Sequence, residues 1–165
     1  MTEPSPAPER AADPDARPPA ADPRPLTTAD LPRLVALETE LFGAGAWSAG
    51  MLAEELAAPG RWYVGVDLAG ALVGYAGLWF DGDVTQVMTL GVAGTAQRGG
   101  IGASLLAALI ARSRELGAQA VLLEVRVDNE PALRLYLAAG FEMLGRRRGY
   151  YQPENKDAWT LRLSL

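Results

Sequence analysis

The sequence predicts one mixed α/β domain built on a mostly antiparallel sheet with a single parallel strand pair. Three observations lead there. Helix-like and strand-like periods alternate from Leu26 onward. Three early strand-like runs are separated by short turn segments, which makes an antiparallel meander. A glycine-rich junction then opens a helix that leads to a further apolar strand, and such a strand–helix–strand crossover is right-handed and joins parallel strands. A length of 165 residues suits one core rather than two, and 49% apolar with 21% charged residues is a globular composition.

Residues 1–25 hold eight of the twelve prolines and little that could be buried, so they predict a disordered Pro/Ala-rich tail before a domain at 26–165. The tail lacks the basic start and apolar stretch of a secretory signal. Thr28 is expected to cap a helix carrying Leu31, Leu34, Val35, Leu37, Glu38 and Leu41, with Gly43 ending it. Ser48 is expected to cap a shorter one through Met51, Leu52, Leu56 and Ala57, stopped by Pro59-Gly60. Strands follow at 61–67, 71–80 and 84–92, turned by Leu68-Ala69-Gly70 and Asp81-Gly82-Asp83. Ile101, Leu105, Leu106, Leu109 and Ile110 mark a helix to Leu116 that Gly117 closes, and 120–127 is a nearly continuous apolar strand. Asn129 caps a helix with Pro131 in its first turn, which runs to Gly140, and strands at 141–151 and 158–165 finish the chain.

Absences narrow the chemistry. With no Cys and no His there is no disulfide framework, no thiol nucleophile, no Cys or His metal site and no imidazole-based triad, and no metal is expected. Lys156 is the single lysine and no glycine loop precedes it, so the lysine-bearing phosphate loop is missing too. A net charge of -5 argues against nucleic-acid binding and suits a cationic ligand or peptide. No apolar run approaches the roughly 20 residues of a membrane-spanning helix, so a soluble, cytoplasmic protein is expected.

The segment Gln97-Arg98-Gly99-Gly100-Ile101-Gly102-Ala103 lies between a strand and a helix. Glycines there let backbone amides approach a ligand, and the helix start adds partial positive charge, so the loop suits a phosphate or pyrophosphate. By itself it reads rather as a flexible turn with a close helix–strand contact. Leu105 stands where the dinucleotide fingerprint needs its third glycine. Glu124 interrupts an apolar strand, where a carboxylate needs a partner or a wet cavity; Arg126, or an arginine on a neighbouring strand, is the structural partner to expect. Tyr136 reads as a core aromatic with its hydroxyl at the rim.

Together, Gln97-x-x-Gly100-x-Gly102, Leu123-Glu124-Val125-Arg126, Asn129, Leu135-Tyr136 and Ala139-Gly140-Phe141 resemble the GNAT family of N-acetyltransferases over residues 26–165. Ala46-Trp47-Ser48, where related enzymes tend to have Pro-Trp-Ser, and Arg147-Arg148-Gly149-Tyr150-Tyr151-Gln152-Pro153 resemble its branch of ribosomal-protein-alanine N-acetyltransferases. The resemblance implies the GNAT fold, with helices on both sheet faces and acetyl-CoA in an opening between two splayed parallel strands, 84–92 and 120–127. It implies that the backbone of Leu90, Gly91 and Val92 pairs with the pantetheine arm. Gln97, Arg98, Gly99, Gly100, Ile101, Gly102 and Ala103 would then hold the pyrophosphate. Asn129 would bond the pantetheine, although a helix cap explains it equally. Glu124 would be the general base acting through water and would face the acceptor, while Tyr136 would be the general acid beside the thioester. Trp47, Tyr150 and Tyr151 are candidate acceptor walls, or ordinary packing.

The activity so implied is acetylation of a protein N-terminal α-amine, that of an alanine-starting ribosomal protein. Without cysteine, direct attack of the amine on the thioester in a ternary complex is the economical route. An α-amine titrates near 7.7 to 8.0 against about 10.4 for lysine, so its base has light work. The rivals are acetylation of a small amine, such as an aminoglycoside or polyamine, and an idle acyl-CoA-binding module. Retention of both Glu124 and Tyr136 speaks against the second.

Overall fold

A computed structural model describes residues 22–165. Most of the expected tail, 1–21, lies outside the described residues, but its last part does not behave as tail. Arg24–Pro25 form β1, pairing with Val64 and Gly65. The cause is Arg24, whose guanidinium bonds Asp67 at 2.7 Å and Asp30 at 2.8 Å, holding a proline-bearing edge strand against the sheet. The first cap also moves by one residue. Thr27, rather than Thr28, accepts the Ala29 amide at 3.3 Å while Asp30 accepts the Thr27 amide at 2.9 Å, a capping box around a 3-10 turn that leads into α1 (Leu31–Phe42).

Gly43, at φ +51°, ends α1, and the Ser48 hydroxyl accepts the Met51 amide at 3.2 Å to start α2 (Ala49–Ala57). The meander is β2 (Arg61–Leu68), β3 (Ala71–Phe80) and β4 (Thr85–Val92). Then come α3 (Ile101–Glu115), β5 (Ala120–Arg126), α4 (Glu130–Ala138), β6 (Glu142–Tyr151) and β7 (Lys156–Ser164). The sheet order is β1-β2-β3-β4-β5-β7-β6, so the last strand inserts between β5 and β6.

Among the described residues only β4 and β5 run parallel, and they pair at just two positions, Thr85 with Val121 and Gln86 with Leu122. Beyond these they diverge. On its other side β4 carries a bulge: Thr89 faces Gly77 and Val87 faces Leu78, leaving Met88 without an opposite residue. An extra residue in one strand bends it and increases its twist. Below the divergence, Thr85 and Ser113 hydroxyls meet at 2.7 Å and satisfy each other in the core between β4 and α3.

Helices cover both faces, as predicted. A Cβ at Gly74 would meet Ile101 and Leu105 of α3, whereas one at Gly91 would meet Leu41 and Phe42 of α1. Leu34, Leu37 and Leu52 fill one layer; Leu105, Leu109, Leu123 and Leu161 belong to the same buried core. Among the described residues no helix is long and apolar enough to cross a membrane, and no cluster of three or more Cys, His, Asp or Glu could hold a metal ion.

Candidate active site

Where β4 and β5 part, a cavity of about 350 Å³ opens between them. From Val87 to Val92, β4 keeps β3 on one side, with Leu90 opposite Ala76 and Val92 opposite Gly74, and has no strand on the other. Backbone groups on that free side are available to an amide-bearing ligand, a strand's ordinary way of taking an extended partner. Leu90 lines the cavity together with Val87, Met88 and Thr89. The last three were not anticipated, since the bulge that presents them has no glycine or proline to announce it.

At the far end of β4 the chain turns into α3 at Gly100, whose φ of +81° favours a residue without a side chain. No side chain caps this helix, and Ser104 provides the first amide to find a partner, Gly100 O at 3.0 Å. The amides of Ile101, Gly102 and Ala103 are therefore left to point at a ligand. Arg98 is exposed and has no hydrogen bond or ion pair among the described residues. A Cβ on Gly102 would meet only Leu135 Cδ2 at 3.5 Å and Val92 Cγ2 at 4.0 Å, so the fold itself does not demand glycine there. Free amides, an unpaired cation and open space fit a pyrophosphate. Gln97 is engaged otherwise: its amide donates to Val92 O at 3.0 Å and braces the turn. Exposed Gly99 completes the loop.

Glu124 lines the cavity from β5. Its Oε2 accepts from Gln86 Nε2 and its Oε1 from Arg147 Nη1, both at 2.9 Å. Glu124 thus has an ion pair, but neither with an arginine of an adjacent strand nor with Arg126, which turns to Asp128 at 3.0 Å and holds that carboxyl down at about 2. Arg147 reaches Glu124 diagonally from two strands away: on the strand between them Thr160 stands opposite Glu124, and Ala158 stands opposite both Arg126 and Arg147. The guanidinium is 55% exposed and the carboxylate 11%, so the cation is the partner with freedom to move. The Tyr151 hydroxyl donates to the Glu124 carbonyl oxygen at 3.3 Å.

Tyr136, buried on α4, packs edge-on against Phe141 at 5.7 Å and reaches the same cavity. Its hydroxyl has no hydrogen-bond partner among the described residues. Burial, with a smaller contribution from Tyr151, pushes this phenol up to about 12. Asn129 caps α4, its Oδ1 accepting the Ala132 amide at 3.2 Å, and it also lines the cavity. Trp47 and Tyr151 line it as well. Tyr150 does not; it is 40% exposed, stacked edge-on against Tyr151 at 5.0 Å and beneath the Arg147 guanidinium at 4.5 Å. The cavity also holds Glu38 of α1, which in sequence looks like one more position on a helix face.

Comparison with known proteins agrees with this geometry. Residues 31–141 match the model of the acetyltransferase (GNAT) family. The chain is 42% identical over 142 residues to N-alpha-acetyltransferase RimI of Mycobacterium tuberculosis, covering 83% of this chain and 88% of that protein. The fold superposes with a TM-score of 0.80 on the ribosomal-protein-S18-alanine N-acetyltransferase of Escherichia coli, at 27% identity over 88% of this chain and 93% of that one. It shares its fold with Arabidopsis thaliana NAA60, solved with acetyl-CoA, at TM-score 0.79 and 19% identity over 88% and 98% of the two chains. With the family model spanning α1 through α4 and the β4–β5 opening, the chain belongs to the GNAT family: it is an acetyltransferase whose acetyl donor is acetyl-CoA.

Proposed function

We propose that the chain acetylates the N-terminal α-amine of a protein, an alanine-starting ribosomal protein, by direct attack with both substrates bound. The observation that carries this is the convergence of Glu124, Tyr136, Trp47 and Tyr151 on one cavity at the β4–β5 opening. The names of the tuberculosis and E. coli relatives support it. Ribosomal acceptors place the reaction in the cytoplasm.

Acetyl-CoA supplies an activated thioester. Backbone groups at Leu90, Gly91 and Val92 take its pantetheine arm together with Asn129, while Arg98 and the amides through Ala103 take the pyrophosphate. Glu124 accepts a proton from the acceptor ammonium through water once Arg147 swings aside. A carbon–nitrogen bond then forms as the carbon–sulfur bond breaks, and the electron pair leaves on sulfur. Moving a proton from a phenol at about 12 to an ordinary thiolate near 8.5 is uphill by about 5 kcal/mol. Tyr136 therefore steadies the thiolate as a hydrogen-bond donor, and the proton that the acylated nitrogen sheds passes through solvent to the sulfur. Mass spectrometry of peptides incubated with enzyme and acetyl-CoA tests the reading. An alanine-starting basic peptide should react faster than its tryptophan-starting twin or a lysine side chain. Equal rates for all three, or reaction confined to a polyamine, would overturn it.

A further inference from the structure

Glu38 is only 3% exposed, lines the cavity and has no part in the reaction as described. Burying a carboxylate costs several kcal/mol, and an apolar residue would pack beside Leu34 and Leu37 at less expense. Both of its oxygens are nevertheless used. Oε1 accepts the Trp47 amide at 3.1 Å, and Oε2 accepts the hydroxyl of Tyr75, a fully buried β3 residue opposite Gly91 of β4. One carboxylate thus links the α1–α2 loop to the strand beside the donor strand.

Beyond the packing of the Trp47 side chain against the core, that loop has little else to hold it. Gly43 and Gly45 have no neighbour within 4 Å of where a Cβ would stand, and the Ala46 amide bonds only locally, to Gly43 O at 3.1 Å. The position of Trp47, a wall of the cavity, is consequently set by two things, the packing of its ring against the core and the bond from its amide to the carboxylate behind it. We infer that Glu38, through its bonds to Trp47 and Tyr75, is the positioning residue that limits how large the acceptor's first side chain can be. The inference rests on the acceptor reading above. Freed from Glu38, Trp47 moves, the mouth widens, and the small-residue requirement relaxes.

The test compares kcat/KM for two peptides that differ only in beginning with Ala or Leu, in the parent, Glu38→Ala and Glu38→Gln enzymes. The parent should prefer Ala by about tenfold, the discrimination that a few methylenes of pocket fit can supply. Glu38→Ala should bring the ratio toward one through a higher KM for the Ala peptide and a gain on the Leu peptide, with the KM for acetyl-CoA unchanged. Glu38→Gln should keep the parental ratio, because its carbonyl still accepts from Trp47 and its amide donates to the Tyr75 oxygen. Should Glu38→Ala fail to fold, Tyr75→Phe removes one of the two anchors and should give an intermediate ratio. A discriminating parent whose ratio survives Glu38→Ala, or Tyr75→Phe in its place, overturns this inference alone. A parent that acetylates neither peptide overturns the acceptor reading and this inference with it.

Discussion

The sites proposed for the donor and for the acceptor are built from different material. The donor end is backbone: unpaired β4 groups, the free amides of Ile101 to Ala103 and one unpaired cation, Arg98. The acceptor end is a mesh of side chains from separate elements, in which Gln86, Arg147 and Tyr151 converge on Glu124, and Glu38 ties Trp47 to Tyr75. Backbone recognition suits a ligand that never changes, because main-chain donors are fixed by the fold. Side-chain recognition suits an acceptor that differs between relatives, because single substitutions retune it while the sheet stays the same.

If this division holds, substitutions at the two ends should fail in different ways. Glu124→Gln should have the largest effect, about 10²-fold on turnover at pH 6, the contribution of a positioned base. The loss should shrink as pH rises past 8, where the α-amine deprotonates by itself, and a stopped assay across pH reads it. A variant as active as the parent at every pH would leave Glu124 a structural ion pair. Tyr136→Phe should cost about tenfold, one hydrogen bond to a charged group, with no recovery at high pH. Since this phenol sits at about 12, its donor survives well past pH 10, and the parent should show no alkaline inflection at the usual value of 10. The same shift bears on stability. A folded value above the unfolded one stabilises fully below pH 10, and the gain is lost as pH rises from 10 toward 12.

At the donor end, Gly102→Val should weaken acetyl-CoA binding about tenfold, or 1.4 kcal/mol, by calorimetry, while the acceptor KM holds. The melting temperature should change little, because a Cβ there meets only ordinary contacts. Unchanged affinity in the folded variant would put the pyrophosphate elsewhere. Smallest of all, Tyr150→Phe should alter kcat/KM less than twofold, since the residue lies outside the cavity and removing one exposed hydroxyl costs a few tenths of a kcal/mol.

The same division explains what could be read from the amino acids alone. Gly100 and Gly102 between a strand and a helix are legible as a candidate backbone cradle once the other motifs stand beside them, because a cradle needs residues without side chains. Capping by Ser48 and Asn129 is local and equally legible. Arg147 as the partner of Glu124 was not, because the contact needs β7 to insert between β5 and β6 and the arginine to reach diagonally across it. Glu38 was hidden for a related reason: a carboxylate on the buried face of a helix looks like an imperfection until Trp47 and Tyr75 are brought to it from 9 and 37 residues away. Arg24 was lost to the tail because proline-rich composition outweighs one arginine until Asp30 and Asp67 are both beside it.

The two residue pairs between β4 and β5 make a narrow seam, with four strands on one side and three on the other. A donor arm lying along β4 acts as a surrogate strand that extends the stitching. Anything bound to the folded chain alone adds to its stability by mass action, about 2.7 kcal/mol at a hundredfold excess over Kd. The resistance of the molecule to unfolding and proteolysis would then rise and fall with the cellular acetyl-CoA supply, making the donor a structural component of the enzyme as well as its reagent.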